Sequence, residues 1–253
     1  MDAFRGVARL SAMIAVALVV AACQTTSMNR TDTLTTLEDD VTVIVMPANV
    51  QLVELTAGGL EEPNAQWTAD ATGYIHESLK SSFDDLGLTY QVLDLDTLSE
   101  QERLQEEELG KLHRAVGASI IVHRFLQVIQ VRGSVLVQPK LPVMGDKFDF
   151  SLGDQVSVIR DHSGADYALF LFVKDQYSSA GRVALNVVAA LLGAPVRGGT
   201  QVGYASLVDL RNGELVWFNL LARQTGDLRK AETAPETVAE LLSNFPSKTT
   251  TAQ

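Results

Sequence analysis

Apolar positions along this chain alternate between unbroken aliphatic runs and stripes spaced three or four residues apart, and the two rhythms predict different elements. Val41 to Met46 is a continuous aliphatic run stopped by Pro47, the pattern of a central strand covered on both faces. Val50 to Leu55 is a second extended segment, ending at the turn signal Ala57-Gly58-Gly59. A helix is expected from Pro63 onward, because Trp67, Ala71, Ile75, Leu79, Phe83 and Leu86 recur on one face. Gly87 follows where a left-handed cap is wanted. Thr89 to Leu95 then reads as a strand reached by a helical crossover from the first, which makes a parallel βαβ unit.

Ser99-Glu100-Gln101-Glu102 is a capping box, and Leu109, Leu112, Val116 and Ile120 continue at helical spacing behind it, with Gly117 interrupting the stripe. Ser119 to Val122, with Ile120, Ile121 and Val122 all β-branched, leaves the end of this helix open to a short strand. Val131 to Lys147 carries two Gly and two Pro and reads as a loop or an irregular hairpin. Leu152, Val156 and Ile159 mark a short helix ending at Gly164, and Ala165 to Val173 is apolar on both faces, the pattern of an interior strand. Val202 to Leu210 and Glu214 to Arg223 are joined through Asn212-Gly213, a strong hairpin signal. Thr233-Ala234-Pro235-Glu236 opens a last helix as a second capping box, with Val238, Leu241, Leu242 and Phe245 as its apolar face. This order predicts a single α/β domain over residues 39–246, with a mixed sheet covered by helices and α+β as the alternative. The tail 247–253 is expected to be disordered.

The amino terminus changes the picture. Arg5 and Arg9 precede an apolar run from Leu10, which is too short to span a bilayer and ends in Val20-Ala21-Ala22-Cys23. This ending resembles a bacterial lipobox. The resemblance implies a signal peptide over 1–22 cleaved after Ala22, diacylglycerol on Cys23, and, with Gln24 rather than Asp next, sorting to the outer membrane. Cys23 is the only cysteine, and acylation would consume a thiol otherwise left free in an oxidising space. Residues 23–38, rich in Thr, Ser, Asn and Asp, are expected to form a flexible tether.

The chain holds 20 Lys and Arg against 31 Asp and Glu; loss of residues 1–22 removes two Arg and one Asp and leaves a balance of −12. An acidic surface disfavours nucleic acid and anionic lipid, so no nucleic-acid partner is expected and attachment to a membrane falls to acyl chains. No phosphate loop, nucleophile elbow or His-Glu-x-x-His motif is present. His113 with His123 as a metal pair, His76-Glu77 as a base, and Asp94 with Asp96 as an acid/base couple are weak candidates beside ordinary solvated or capping roles. No catalytic, cofactor or metal site is expected.

Residues 164–170, Gly-Ala-Asp-Tyr-Ala-Leu-Phe, followed by Ala205 to Trp217, resemble the paired strands of CsgG-like and TolB amino-terminal-like periplasmic domains. The resemblance implies a non-catalytic accessory or assembly role in the envelope: secretion, envelope construction or activation of a partner. The competing expectation is an envelope hydrolase whose site is assembled from residues distant in sequence, such as Asp94, Asp96, His76 and His162.

The least ordinary segment is Gly181 to Gly193. Val183, Leu185, Val187, Val188, Leu191 and Leu192, with the alanines among them, leave only Arg182 and Asn186 as polar side chains. A helix apolar nearly all round is either core or applied to something outside the domain. The candidates outside are a second copy, an envelope protein or the membrane.

Overall fold

The computed structural model describes residues 26–30, 34, 36–38, 40–125, 128–131, 134–137, 148–191 and 199–248. Its centre is an eight-stranded mixed sheet. The strands are β1 (Thr26–Arg30), β3 (Val43–Val45), β4 (Asn49–Leu55), β5 (Glu61–Pro63), β6 (Tyr90–Val92), β9 (Tyr167–Ser178), β10 (Gln201–Asp209) and β11 (Leu215–Arg223). Two small pairs lie apart from it: β2 (Thr36–Leu37) with β12 (Ser247–Lys248), and β7 (Val128–Val131) with β8 (Ser134–Val137).

Twelve-residue β9 is the spine. Its first residues pair in parallel with β3, Val43 opposite Tyr167, and its later ones with β4, from Asn49 opposite Phe172 to Leu55 opposite Ser178. Pro47, which has no N–H to give a ladder, separates the two. Antiparallel β10 takes the other side of β9, followed by β11 and edge strand β1. The expected βαβ unit is present: β3 and β6 are parallel neighbours, joined through β4, β5 and helix α1 (Ala65–Leu86).

Strand alternation sends successive side chains to opposite faces, and each face has its own core. Val43, Val45, Leu169, Leu171, Leu207 and Trp217 meet α1 and α5 (Ala234–Leu241) through Ile75, Leu79, Phe83, Val238 and Leu241. Ile44, Ala168, Phe170, Val208 and Phe218 meet α2 (Glu100–Ile120) and α3 (Ser157–Ser163) through Leu109, Ile120 and Ile159. Helix α4 (Ala180–Leu191) follows β9 directly.

Local signals decide most element ends. Gly87 and Gly164 close α1 and α3 in the left-handed region at φ 62° and 68°, and the Ser99–Glu102 box is complete. The helical alternative holds for Ile120, with a π-helical turn over Ile121–Phe125 after it. β7 and β8 form a short antiparallel hairpin overlapping the start of the irregular segment expected from Val131.

Four expectations need correction. Pro63 does not open α1; it ends β5, and Asn64 caps the helix by accepting the Trp67 N–H at 3.0 Å. The expected tether contains two strands, because Thr26–Arg30 takes the backbone ladder of β11 and Leu37 is buried. The expected disordered tail begins with Ser247–Lys248 paired to β2. The second capping box does not form: Thr233 Oγ1 donates to the carbonyls of Asp227 and Lys230, while Glu236 binds Arg223.

Candidate functional site

Helix α4 is turned inside out. Arg182 is buried and Asn186 half-buried, with its Oδ1 covered. They stand one turn apart on the inward face, where the Arg182 guanidinium reaches the Thr56 carbonyl of the turn after β4 at 3.4 Å. The aliphatic side faces out, with Val183 50%, Leu185 44%, Val187 58% and Val188 55% exposed. These four candidate residues thus share one open surface. Leu191 is the last residue of α4, and Leu192, Ala22 and Cys23 lie outside the described residues.

Beside the start of α4 the sheet ends in a polar cluster that sequence patterning missed, because β9 was expected to stop near Lys174. Asp175, nearly fully buried, accepts from the Tyr177 hydroxyl, from Gln201 Nε2 at 2.8 Å and from the Leu228 amide at 3.2 Å. Burial raises its carboxyl above the ordinary range. Gln201 Oε1 accepts from Arg223 Nε at 2.7 Å, and the other Arg223 nitrogens donate to Glu236 Oε1 and Thr237 Oγ1. The Arg229 guanidinium lies over the Tyr177 ring, 4.0 Å from its centroid. These groups satisfy one another across three strands and α5, so the cluster stitches this end of the sheet together.

The weak catalytic candidates are dispersed. His76 is on α1, across the sheet from His162 on α3. The Asp94 carboxylate accepts the Asp96 N–H at 3.0 Å, so their spacing caps a 3₁₀ turn. His162 borders an acidic groove of about 550 Å³ lined also by Glu102, Glu108 and Asp161. Its Nε2 lies 3.2 Å from Thr97 Oγ1 and its Nδ1 3.4 Å from Glu102, whose carboxylate accepts the Ser99 N–H and is lowered by that capping. His113 is 2% exposed and hydrogen-bonded to Ser206 at 2.7 Å. Ser206 is 0% exposed, and the pocket of about 300 Å³ beside His113 does not reach it. Among the described residues no group of three His, Cys, Asp or Glu is placed to hold a metal.

No family model and no curated protein matches the chain. Several solved structures are similar to it. A PelC dodecamer from Paraburkholderia phytofirmans is 14% identical over 88% of this chain and 100% of that one, with a TM-score of 0.39. Lipoprotein GNA1162 from Neisseria meningitidis is 15% identical over 81% of this chain and 94% of that one, at 0.32. The C-terminal domain of LpoB from Salmonella enterica is 17% identical over 74% of this chain and 88% of that one, at 0.26.

Proposed function

We propose that this chain is a lipid-anchored accessory protein of the bacterial envelope, held at the outer membrane through acyl chains on Cys23, which acts by contact rather than by turning over a substrate. The observation that carries this reading is α4, whose two polar side chains face the domain while its valines and Leu185 face out. An isolated domain gains nothing from that orientation; a docked one buries the patch. The main rival, a hydrolase assembled from Asp94, Asp96, His76 and His162, loses support because His76 and His162 stand on opposite faces of the sheet and Asp94 with Asp96 caps a 3₁₀ turn, while Ser206, hydrogen-bonded to His113, is buried under α2.

A photo-reactive side chain placed at Val187, and in a separate protein at Leu104 on α2, tests the reading in intact cells. Both positions are 58% exposed. Adducts, to protein or to lipid, are expected from Val187 and not from Leu104. Equal yields at both positions would overturn docking through α4.

A further inference from the structure

Resting on the anchoring proposed above, we infer that the occupant of the α4 patch is the bilayer surface to which Cys23 is attached, with α4 lying in the interface beside the lipid anchor. The argument starts from register. Thr26 of β1 pairs with Ala222, Ala222 with Val202, and Val202 with Lys174 of β9, so Thr26 and Lys174 share one rung across four strands. Each of these pairs is antiparallel, so β1 runs opposite to β9. The chain therefore enters β1 from the end of the sheet at which β9 leaves it. Cys23 stands three residues before Thr26 and lies no more than about 11 Å from it. Helix α4 begins at Ala180, two residues after β9 ends. Three inter-strand steps separate the rung's ends by roughly 14 Å. Anchor and aliphatic helix thus emerge from the same end of the domain, close enough that acyl chains inserted from Cys23 bring α4 to the lipid.

Charge agrees. In a chain of net charge −11, the 33 residues between Asp175 and Asp209 contain no Asp or Glu and include Arg182 and Arg197. Helix α4 itself therefore adds no acidic side chain to a surface meeting anionic head groups, and acids at this end of the sheet such as Glu61 and Glu236 are paired with Lys174 and Arg223. The length agrees as well. Twelve residues of helix span about 18 Å, short of the roughly 20 residues needed to cross the hydrocarbon, so α4 fits the plane of the interface.

The test uses the full lipidated protein in vesicles of phosphatidylethanolamine and phosphatidylglycerol. Acylation occupies the sulfur of Cys23, so Val187→Cys supplies the single thiol for a nitroxide, with Leu104→Cys as the reference. Flotation with the vesicles checks the anchor independently. The expected result is that both proteins float and that the label at 187, unlike that at 104, loses collisions with a water-soluble nickel chelate and gains collisions with oxygen. Leu185→Asp should return the label at 187 to water-like behaviour while the protein still floats. Three outcomes overturn the inference: a floating protein whose label at 187 stays in water; broadening between labels on neighbouring copies without oxygen gain, which assigns the patch to self-association; and failure to float, which removes the anchor itself.

Discussion

His113 Nε2 and Ser206 Oγ share a hydrogen bond of 2.7 Å between α2 and β10, with the imidazole stacked 4.8 Å from Phe170 and both residues out of solvent. Burial pushes the imidazole down to about 3 from its ordinary 6.5. Below pH 6.5 the unfolded chain takes up a proton there that the folded one refuses. The contribution of His113 is therefore fully present above 6.5 and is lost as pH falls towards 3, by at most about 1.4 kcal/mol per unit. The His113 ring resonances should stay those of a neutral imidazole down to pH 4.5, while urea stability declines across the same range.

Ser206→Ala leaves one buried imidazole nitrogen without its partner and should cost about 1–3 kcal/mol in urea unfolding. A fluorophosphonate probe should not label Ser206 in the native protein; labelling there would revive the hydrolase.

Gly117 lies on the buried side of α2, where an added Cβ would overlap the Tyr204 ring. Tyr204 is itself held between Phe172 and Phe218 and by its hydroxyl bond to the Arg114 carbonyl. Gly117→Ala should therefore lower stability by about 1–3 kcal/mol, although alanine favours a helix by roughly 1 kcal/mol when nothing obstructs it. A rise in melting temperature would contradict this packing.

The two ends of the Arg223–Glu236 pair should respond unequally. The Arg223 side chain is 1% exposed and Glu236 64%. Glu236→Gln should cost less than about 1 kcal/mol, whereas Arg223→Met removes the donors to Gln201 and Thr237 and should cost about 1–3 kcal/mol or more. Thermal unfolding of the two variants side by side checks the asymmetry.

The anchor itself is read by intact mass. Protein extracted from membranes should lack residues 1–22 and carry a large acyl increment on Cys23, and Cys23→Ser should accumulate as uncleaved precursor. A mature chain with an unmodified thiol would contradict the lipobox reading.

Local features were legible in the sequence: the α1 stripe with Gly87, the Ser99 box, the aliphatic run of β9 and the Asn212-Gly213 turn each depend on neighbours a few residues away. What stayed hidden needed the sheet assembled. Ser206 finds its histidine 93 residues away, Gly117 makes room for a residue of β10, and Asp175, Gln201 and Arg223 come together from three strands. Thr233 misled because its hydroxyl donates back to the carbonyls of Asp227 and Lys230 in the preceding loop instead of capping the helix. The composition of α4 marked it as unusual, yet its orientation follows from Arg182 meeting the turn after β4, with Asn186 one turn on along the same inward face, which no local pattern announces.

The central claim is that α4 is covered in the envelope and open in the isolated domain. Val188→Cys in the full lipidated chain measures this directly through its reaction with a membrane-impermeant maleimide admitted to the periplasm. The thiol should be protected in place, and Leu185→Asp in the same chain should expose it without shifting the melting transition. Rapid, unchanged labelling in both proteins would contradict the account.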